Sequence, residues 1–97
     1  MKKRNALKAT LASAELILGA AAPAMAITVD VGGGRWTYDQ GANSAWSNYT
    51  HPTNKHASSV QIGSNIFRSG CTSAGNWALA SGGKNGGSVS WYYDPSC

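Results

Sequence analysis

Hydrophobic and polar residues alternate with period two along most of the second and third quarters of the chain and again at its end, and this pattern predicts strands. Residues 27–34 begin with short alternation, Val29 and Val31 facing one way and Asp30 the other, then run into Gly32-Gly33-Gly34. Three glycines in a row have no side chains to pack, so they predict a flexible entry or a bulge. Arg35 to Asp39 places Trp36 and Tyr38 on one face, and Gln40 to Asn43 makes a turn. Ser44 to Thr50 is a second strand with Trp46 and Tyr49 on opposite faces. His51 to Lys55 is turn chemistry around Pro52, which cannot join a central ladder. His56 to Gly63 is a third strand carrying Val60 and Ile62 on one face, and together the three predict a meander.

The second half is less regular. Ser64 to Cys71 holds only Ile66 and Phe67 as large apolar residues and reads either as a strand or as a packed loop. In Thr72 to Ser81, Trp77 and Leu79 share one strand face and Ala78 and Ala80 the other. A short helix is the alternative there, since Ala and Leu are good helix formers, but Gly75 and Gly82-Gly83 favour the shorter element. Residues 82–87 read as a hairpin loop with Asn85-Gly86 as its turn dipeptide. In the last strand, Val89, Trp91 and Tyr93 alternate with Ser88, Ser90 and Tyr92. The expectation is an all-β domain in which a second small sheet faces the first.

The first 26 residues have a different character. Lys2, Lys3, Arg4 and Lys8 precede an Ala/Leu-rich stretch from Ala9 to Ala22, and Ala24-Met25-Ala26 supplies a small-x-small cleavage pattern. This three-part order predicts a secretory signal over residues 1–26 and a mature domain over 27–97. The apolar stretch is interrupted by Glu15 and is too short for a membrane span. Removal of the signal changes the charge from +4 for the whole chain to +1, because Arg35, Lys55, Arg68 and Lys84 then face Asp30, Asp39 and Asp94. No clustered basic face remains, which excludes nucleic acid as a partner and weakens electrostatic attack on anionic membranes.

All nine aromatic residues fall in the mature part, where aliphatic side chains are few. Rings must therefore supply much of the buried area, at about 150–250 Å² each. A domain this small is near the limit of self-sufficiency, and a staple or a partner subunit is expected. Cys71 and Cys97, two cysteines in an exported chain, predict a disulfide closing a 26-position loop. Chain-entropy reasoning assigns such a loop about 3–4 kcal/mol.

Reactive chemistry is poorly supported. His51 and His56 are five apart across a proline turn, and zinc needs three or four ligands at held geometry, so no metal site is expected. A Cys/His pair is cancelled by cysteine oxidation. No Gly-x-Ser-x-Gly elbow accompanies the serines, no Lys-Ser/Thr follows the glycine run, and three scattered aspartates name no carboxylate pair. The expectation is a non-enzyme without cofactors. Trp36, Tyr38, Trp46, Trp77 and Trp91 admit two readings, as core or as a platform for a sugar-bearing ligand, with the many Ser, Thr, Asn and Gln residues supplying directional hydrogen bonds. Tyr92 and Tyr93 are adjacent, so one of them points away from the core.

Several stretches together resemble the lactococcin 972 bacteriocins. Gly34-Arg35-Trp36 is similar to that family's opening Gly-x-Trp. Ser44-Ala45-Trp46-Ser47-Asn48-Tyr49 followed by His51 resembles its Ser-Ala-Tyr-Ser-Asn-Tyr-x-His, with Trp46 in place of a Tyr. His56-Ala57-Ser58-Ser59-Val60, Ala74-Gly75-Asn76-Trp77-Ala78 and the aromatic end Ser88 to Tyr93 resemble further family segments. Cys71 and Cys97 and the lower positive charge depart from the founding member. The resemblance implies a β-sandwich of two three-stranded antiparallel sheets, secretion by a Gram-positive bacterium, and a homodimer. It also implies a non-lytic inhibitor that binds the wall precursor lipid II and blocks septum formation without stable membrane insertion. Trp46, Tyr49, His51, Tyr92 and Tyr93 are the expected ligand contacts.

Overall fold

A computed structural model describes residues 26–97; the signal expected over residues 1–26 lies, apart from Ala26, outside the described residues. Seven strands form two antiparallel sheets: β1 (Ile27–Val31), β2 (Gly34–Gln40), β3 (Ser44–Thr50), β4 (Ala57–Ile62), β5 (Asn65–Arg68), β6 (Ala78–Gly83) and β7 (Val89–Asp94). One sheet is four-stranded in the order β1-β2-β3-β6, and the other is three-stranded in the order β5-β4-β7. They pack face to face as a small sandwich, so the all-β reading holds and the count of two three-stranded sheets is corrected to four plus three.

Three local expectations change with it. The glycine run is a turn: Val31 pairs with Gly34, and Gly32 and Gly33 between them have φ of +64° and +87°. Two successive positive φ values suit a two-residue hairpin whose twist matches its strands, and glycine reaches them without strain. This hairpin brings residues 27–31 in as the fourth strand. The predicted meander breaks after β3, because β4 pairs with β5 and β7 while β6 takes the free edge of β3. The turn around Pro52 is too long for a tight hairpin and carries the chain across to the other sheet. Residues 82–87 are likewise no hairpin: Gly82 and Gly83 belong to β6, and the chain then crosses to β7. A Cβ on Gly82 would collide with the Phe67 ring, so the glycine lets the two sheets close at this edge.

The core consists of Ile27, Trp36, Tyr38, Ala45, Tyr49, Val60, Ile62, Ala80, Trp91 and Tyr93. Rings dominate it, as the composition requires. Trp36 stacks on Tyr38 with centroids 4.1 Å apart, and Tyr93 and Trp91 close against this pair from the other sheet at 4.9 and 5.3 Å. Two buried serines sew the sheets together. Ser47 accepts from Trp36 Nε1 at 2.9 Å and donates to the Tyr92 carbonyl at 3.0 Å. Ser58 lies within hydrogen-bond reach of the Ser47 and Ala78 carbonyls at 2.7 and 2.9 Å. Cys71 and Cys97 form the expected disulfide, with Cα atoms 6.0 Å apart.

Candidate functional site

Three of the five expected contact residues gather at one end of the sandwich, under the Gly32–Gly34 turn. A Cβ on Gly32 would meet Tyr93 at 2.8 Å and the Tyr49 hydroxyl at 2.9 Å. One on Gly33 would meet His51 Nε2 at 2.9 Å, and one on Gly34 would collide with the Thr50 carbonyl. The missing side chains are what allow the turn to lie directly on the rings. Tyr49 is fully buried and donates to the Val31 carbonyl at 2.9 Å, which holds the turn down. Its pKa is pushed up to about 12, first by burial, then by the neighbouring Tyr93 and by Asp94, against a lowering contribution from the Gly34 amide. Tyr93 is buried and packs on Tyr49 with centroids 5.1 Å apart.

The histidines are engaged by backbone. His51 Nδ1 accepts from the Thr53 and Asn54 amides at 3.2 and 3.0 Å and so closes the turn around Pro52; in the neutral ring the proton then resides on Nε2. His56 is fully buried, with Nδ1 2.8 Å from the Asn54 carbonyl and Nε2 2.7 Å from the Asn76 carbonyl. A neutral imidazole can donate to only one of these carbonyls, and an imidazolium to both. His56 thus ties the 51–56 turn to the loop that leads into β6. Among the described residues no group of three or more His, Cys, Asp or Glu side chains is placed to hold a metal ion, and no helix is long and apolar enough to cross a membrane. Outside this turn lies an open cleft of about 700 Å³, between the end of the Asp30–Arg35 hairpin, Thr50, Pro52 and Gly75.

The other two expected residues are half-buried and lie on opposite outer faces. Trp46 alternates with the buried Ala45 and Ser47, so it stands on the outside of the four-stranded sheet, with its ring edge near Gly41. Tyr92 alternates with the buried Trp91 and Tyr93, so it stands on the outside of the three-stranded sheet, where its register partner is Ser59. No single small ligand touches both.

Sequence reasoning missed the side of β6 that faces out. Ala78 and Ala80 are buried, while Trp77 is 44% and Leu79 63% exposed. Ala78 pairs with Tyr49 and Ala80 with Ser47, at the place where Ser58 of the facing sheet reaches the β6 backbone. Only a methyl fits there, and the larger pair is turned to solvent. The signal was the Ala-x-Ala alternation, whose periodicity is clear and whose direction is not. Trp46, Trp77 and Leu79 consequently share the outer face of the four-stranded sheet.

Tyr38 is the other perturbed phenol. It is fully buried, and its hydroxyl alone among the buried side-chain polar atoms of the described residues has no hydrogen-bond partner. Burial and then the charge of Asp39 push its pKa up to about 12.

No curated protein and no solved structure matches the chain. The family model of the bacteriocin Lactococcin_972 matches residues 32–93, from the glycine turn to the last buried tyrosine. That span holds the glycine turn on its rings, both histidines, both serine stitches and the outer aromatic face, and on it the chain belongs to the lactococcin 972 family of bacteriocins.

Proposed function

We propose that this chain is a secreted, non-lytic antibacterial protein that binds the cell-wall precursor lipid II and blocks septum and peptidoglycan synthesis in related Gram-positive bacteria. The observation that carries this reading is the family match over residues 32–93. The fold is compatible with it: a small β domain offers binding surfaces, and among the described residues no His, Cys, Asp and Glu side chains gather to hold a metal ion. Of the expected contacts, Trp46 offers ring surface directly, and Tyr92 does so on the opposite face. Tyr49, His51 and Tyr93 act by shaping the glycine turn that covers them. A homodimer is part of the proposal, since a second subunit stabilises a small core by mass action; sedimentation across a range of concentrations tests it.

Capture of the protein by purified lipid II in vesicles, against vesicles without it, is the decisive experiment. Saturable, precursor-dependent capture is expected, together with swollen or septum-deficient cells whose membranes stay intact. Equal capture by both vesicle types rejects the precursor, and potassium leakage at the onset of inhibition rejects the non-lytic mechanism. The exposed Trp77 and Leu79 also favour a second reading, a secreted wall- or carbohydrate-binding module without toxicity. Binding without growth inhibition would select it.

A further inference from the structure

The outer face of the four-stranded sheet combines apolar surface with unused hydrogen-bonding groups. In register, Asn48 pairs with Leu79 and Trp46 with Ser81, and Trp77 precedes β6 on the side of Thr50. Residues two apart on a strand are about 7 Å apart, and diagonal neighbours across strands about 7–8 Å. Trp77, Leu79 and Trp46 therefore form a stripe roughly 14 Å long. Trp77 and Leu79 are exposed and Trp46 half-buried. The Asn48 carboxamide lies in the middle of this stripe and, like the Ser81 hydroxyl, makes no hydrogen bond to the described residues. A carboxamide offers two donors and an acceptor with two lone pairs.

The charges around the stripe limit what fits. Arg35 is held by Asp30 at 3.0 Å, Asp39 is the register partner of Trp46, and Lys84 at the Trp46 end donates to the Gly41 carbonyl at 3.0 Å, so two cations are balanced by two carboxylates. The face thus carries no net positive charge and does not attract a phosphate or another anion. An aliphatic chain would leave the Asn48 amide without a partner, and covering an unpaired polar group costs about 1–3 kcal/mol. A saccharide meets each condition: it is uncharged, its C–H faces lie flat on indole rings, and its hydroxyl and N-acetyl groups both donate and accept.

We propose that this face, centred on Asn48 and flanked by Trp46, Leu79 and Trp77, binds the uncharged glycan portion of a bacterial wall component. The inference rests on the wall-directed reading above and deepens it, by assigning recognition to the sugar rather than to the pyrophosphate or the lipid, and to this face rather than to Tyr92 or the glycine-turn cleft.

The test is a titration of the full mature protein with a soluble oligomer of N-acetylglucosamine, followed by NMR of the indole N–H and side-chain amide signals. Saturable shifts of Trp46, Trp77 and Asn48 are expected, with the buried Trp36 and Trp91 unmoved. Trp77→Ala and Asn48→Ala should each weaken binding about tenfold, the equivalent of roughly 1.4 kcal/mol, with the remaining spectrum folded. Absence of saturation, or shifts centred on Tyr92 or on Gly32–Gly34, overturns the assignment. So does equal binding of plain phosphatidylcholine vesicles through the same residues, which would mark a lipid-seeking face, or signal shifts that follow protein concentration alone, which would mark self-association. Precursor vesicles separate the sources. If wild type and Trp77→Ala are captured equally by lipid II, the glycan face falls and the precursor reading stands. If the oligomer binds and lipid II does not, the precursor reading falls and the face is retained for a wall polymer.

Discussion

The two faces of the four-stranded sheet carry the same kinds of residue to opposite ends. On the inner face Trp36, Tyr38 and Tyr49 are fully buried, and their rings meet Trp91 and Tyr93 of the other sheet. On the outer face Trp46 and Trp77 meet no facing sheet, and Leu79 is the most exposed large hydrophobic residue described. An indole inside the sandwich is enclosed by the rings of both sheets, whereas one outside it keeps part of its surface open to solvent. Composition alone does not separate these uses. The pleat does, because successive residues point to opposite sides.

The sharpest way to break this contrast is to remove an inner ring. Trp36→Ala should destabilise the domain by about 3–5 kcal/mol, the range for deleting a large aromatic from a packed core. The loss includes the hydrogen bond from its Nε1 to Ser47. Urea unfolding measures it, and a loss under about 1 kcal/mol would place Trp36 among surface residues.

A smaller effect is expected where the inner face is polar. Ser58→Ala removes a hydroxyl that reaches across to the four-stranded sheet, next to the Ser47 and Ala78 carbonyls. The cost should be about 1–2 kcal/mol, that of a buried hydrogen bond whose acceptors lose their partner. Thr at this position, which keeps the hydroxyl, should recover part of it. An Ala variant as stable as wild type would show that the apolar rings alone hold the sheets together.

Much of this inner face can be read from the alternation of residues. The pairing of Trp36 with Tyr38 on one side, the split of Trp46 from Tyr49, and the split of Tyr92 from Tyr93 follow from period two alone, and so does the shared face of Val60 and Ile62. Period two says nothing about which strands become neighbours, and that is why β4 and the 82–87 crossover are misplaced in a simple meander. Ser47 and Ser58 are hidden for another reason. A polar residue at an inward position looks like a break in the pattern until its partner across the sandwich is known. Gly32–Gly34 looks like slack chain, yet its glycines are required by the rings beneath them. Within the expected site, Trp46 is legible as a surface ring only through its neighbours Ala45 and Ser47, and Trp77 with Leu79 only once the facing backbone is seen to leave room for alanine.

The phenols sharpen the contrast by titration. Tyr38 and Tyr49 have pKa values raised to about 12, with burial the largest cause for each, against about 10 in an unfolded chain. Because the folded state resists their ionisation, the stability linked to them is whole below pH 10 and is lost as the pH rises towards 12. Near-ultraviolet phenolate absorbance should therefore show Tyr38 and Tyr49 ionising late, together with unfolding. Ionisation of these two phenols near pH 10 in a protein that stays folded would contradict the burial of this inner face.

The smallest effect on stability belongs to the outer face and is the most informative about function. Trp77→Ala and Leu79→Ala should each change unfolding free energy by no more than about 0.5 kcal/mol, as for surface positions away from structural partners. Elsewhere on natural surfaces an isolated exposed apolar residue needs no explanation. Here two of them share a face with Trp46, and a contiguous exposed apolar patch is the kind of surface that marks an interaction site. The same substitutions should therefore leave the urea midpoint in place while lowering growth inhibition, measured on one preparation of protein. A fall in both together would mean that Trp77 and Leu79 are packing residues after all and that the two faces differ only in degree; inhibition unchanged at unchanged stability would remove the outer face from the mechanism.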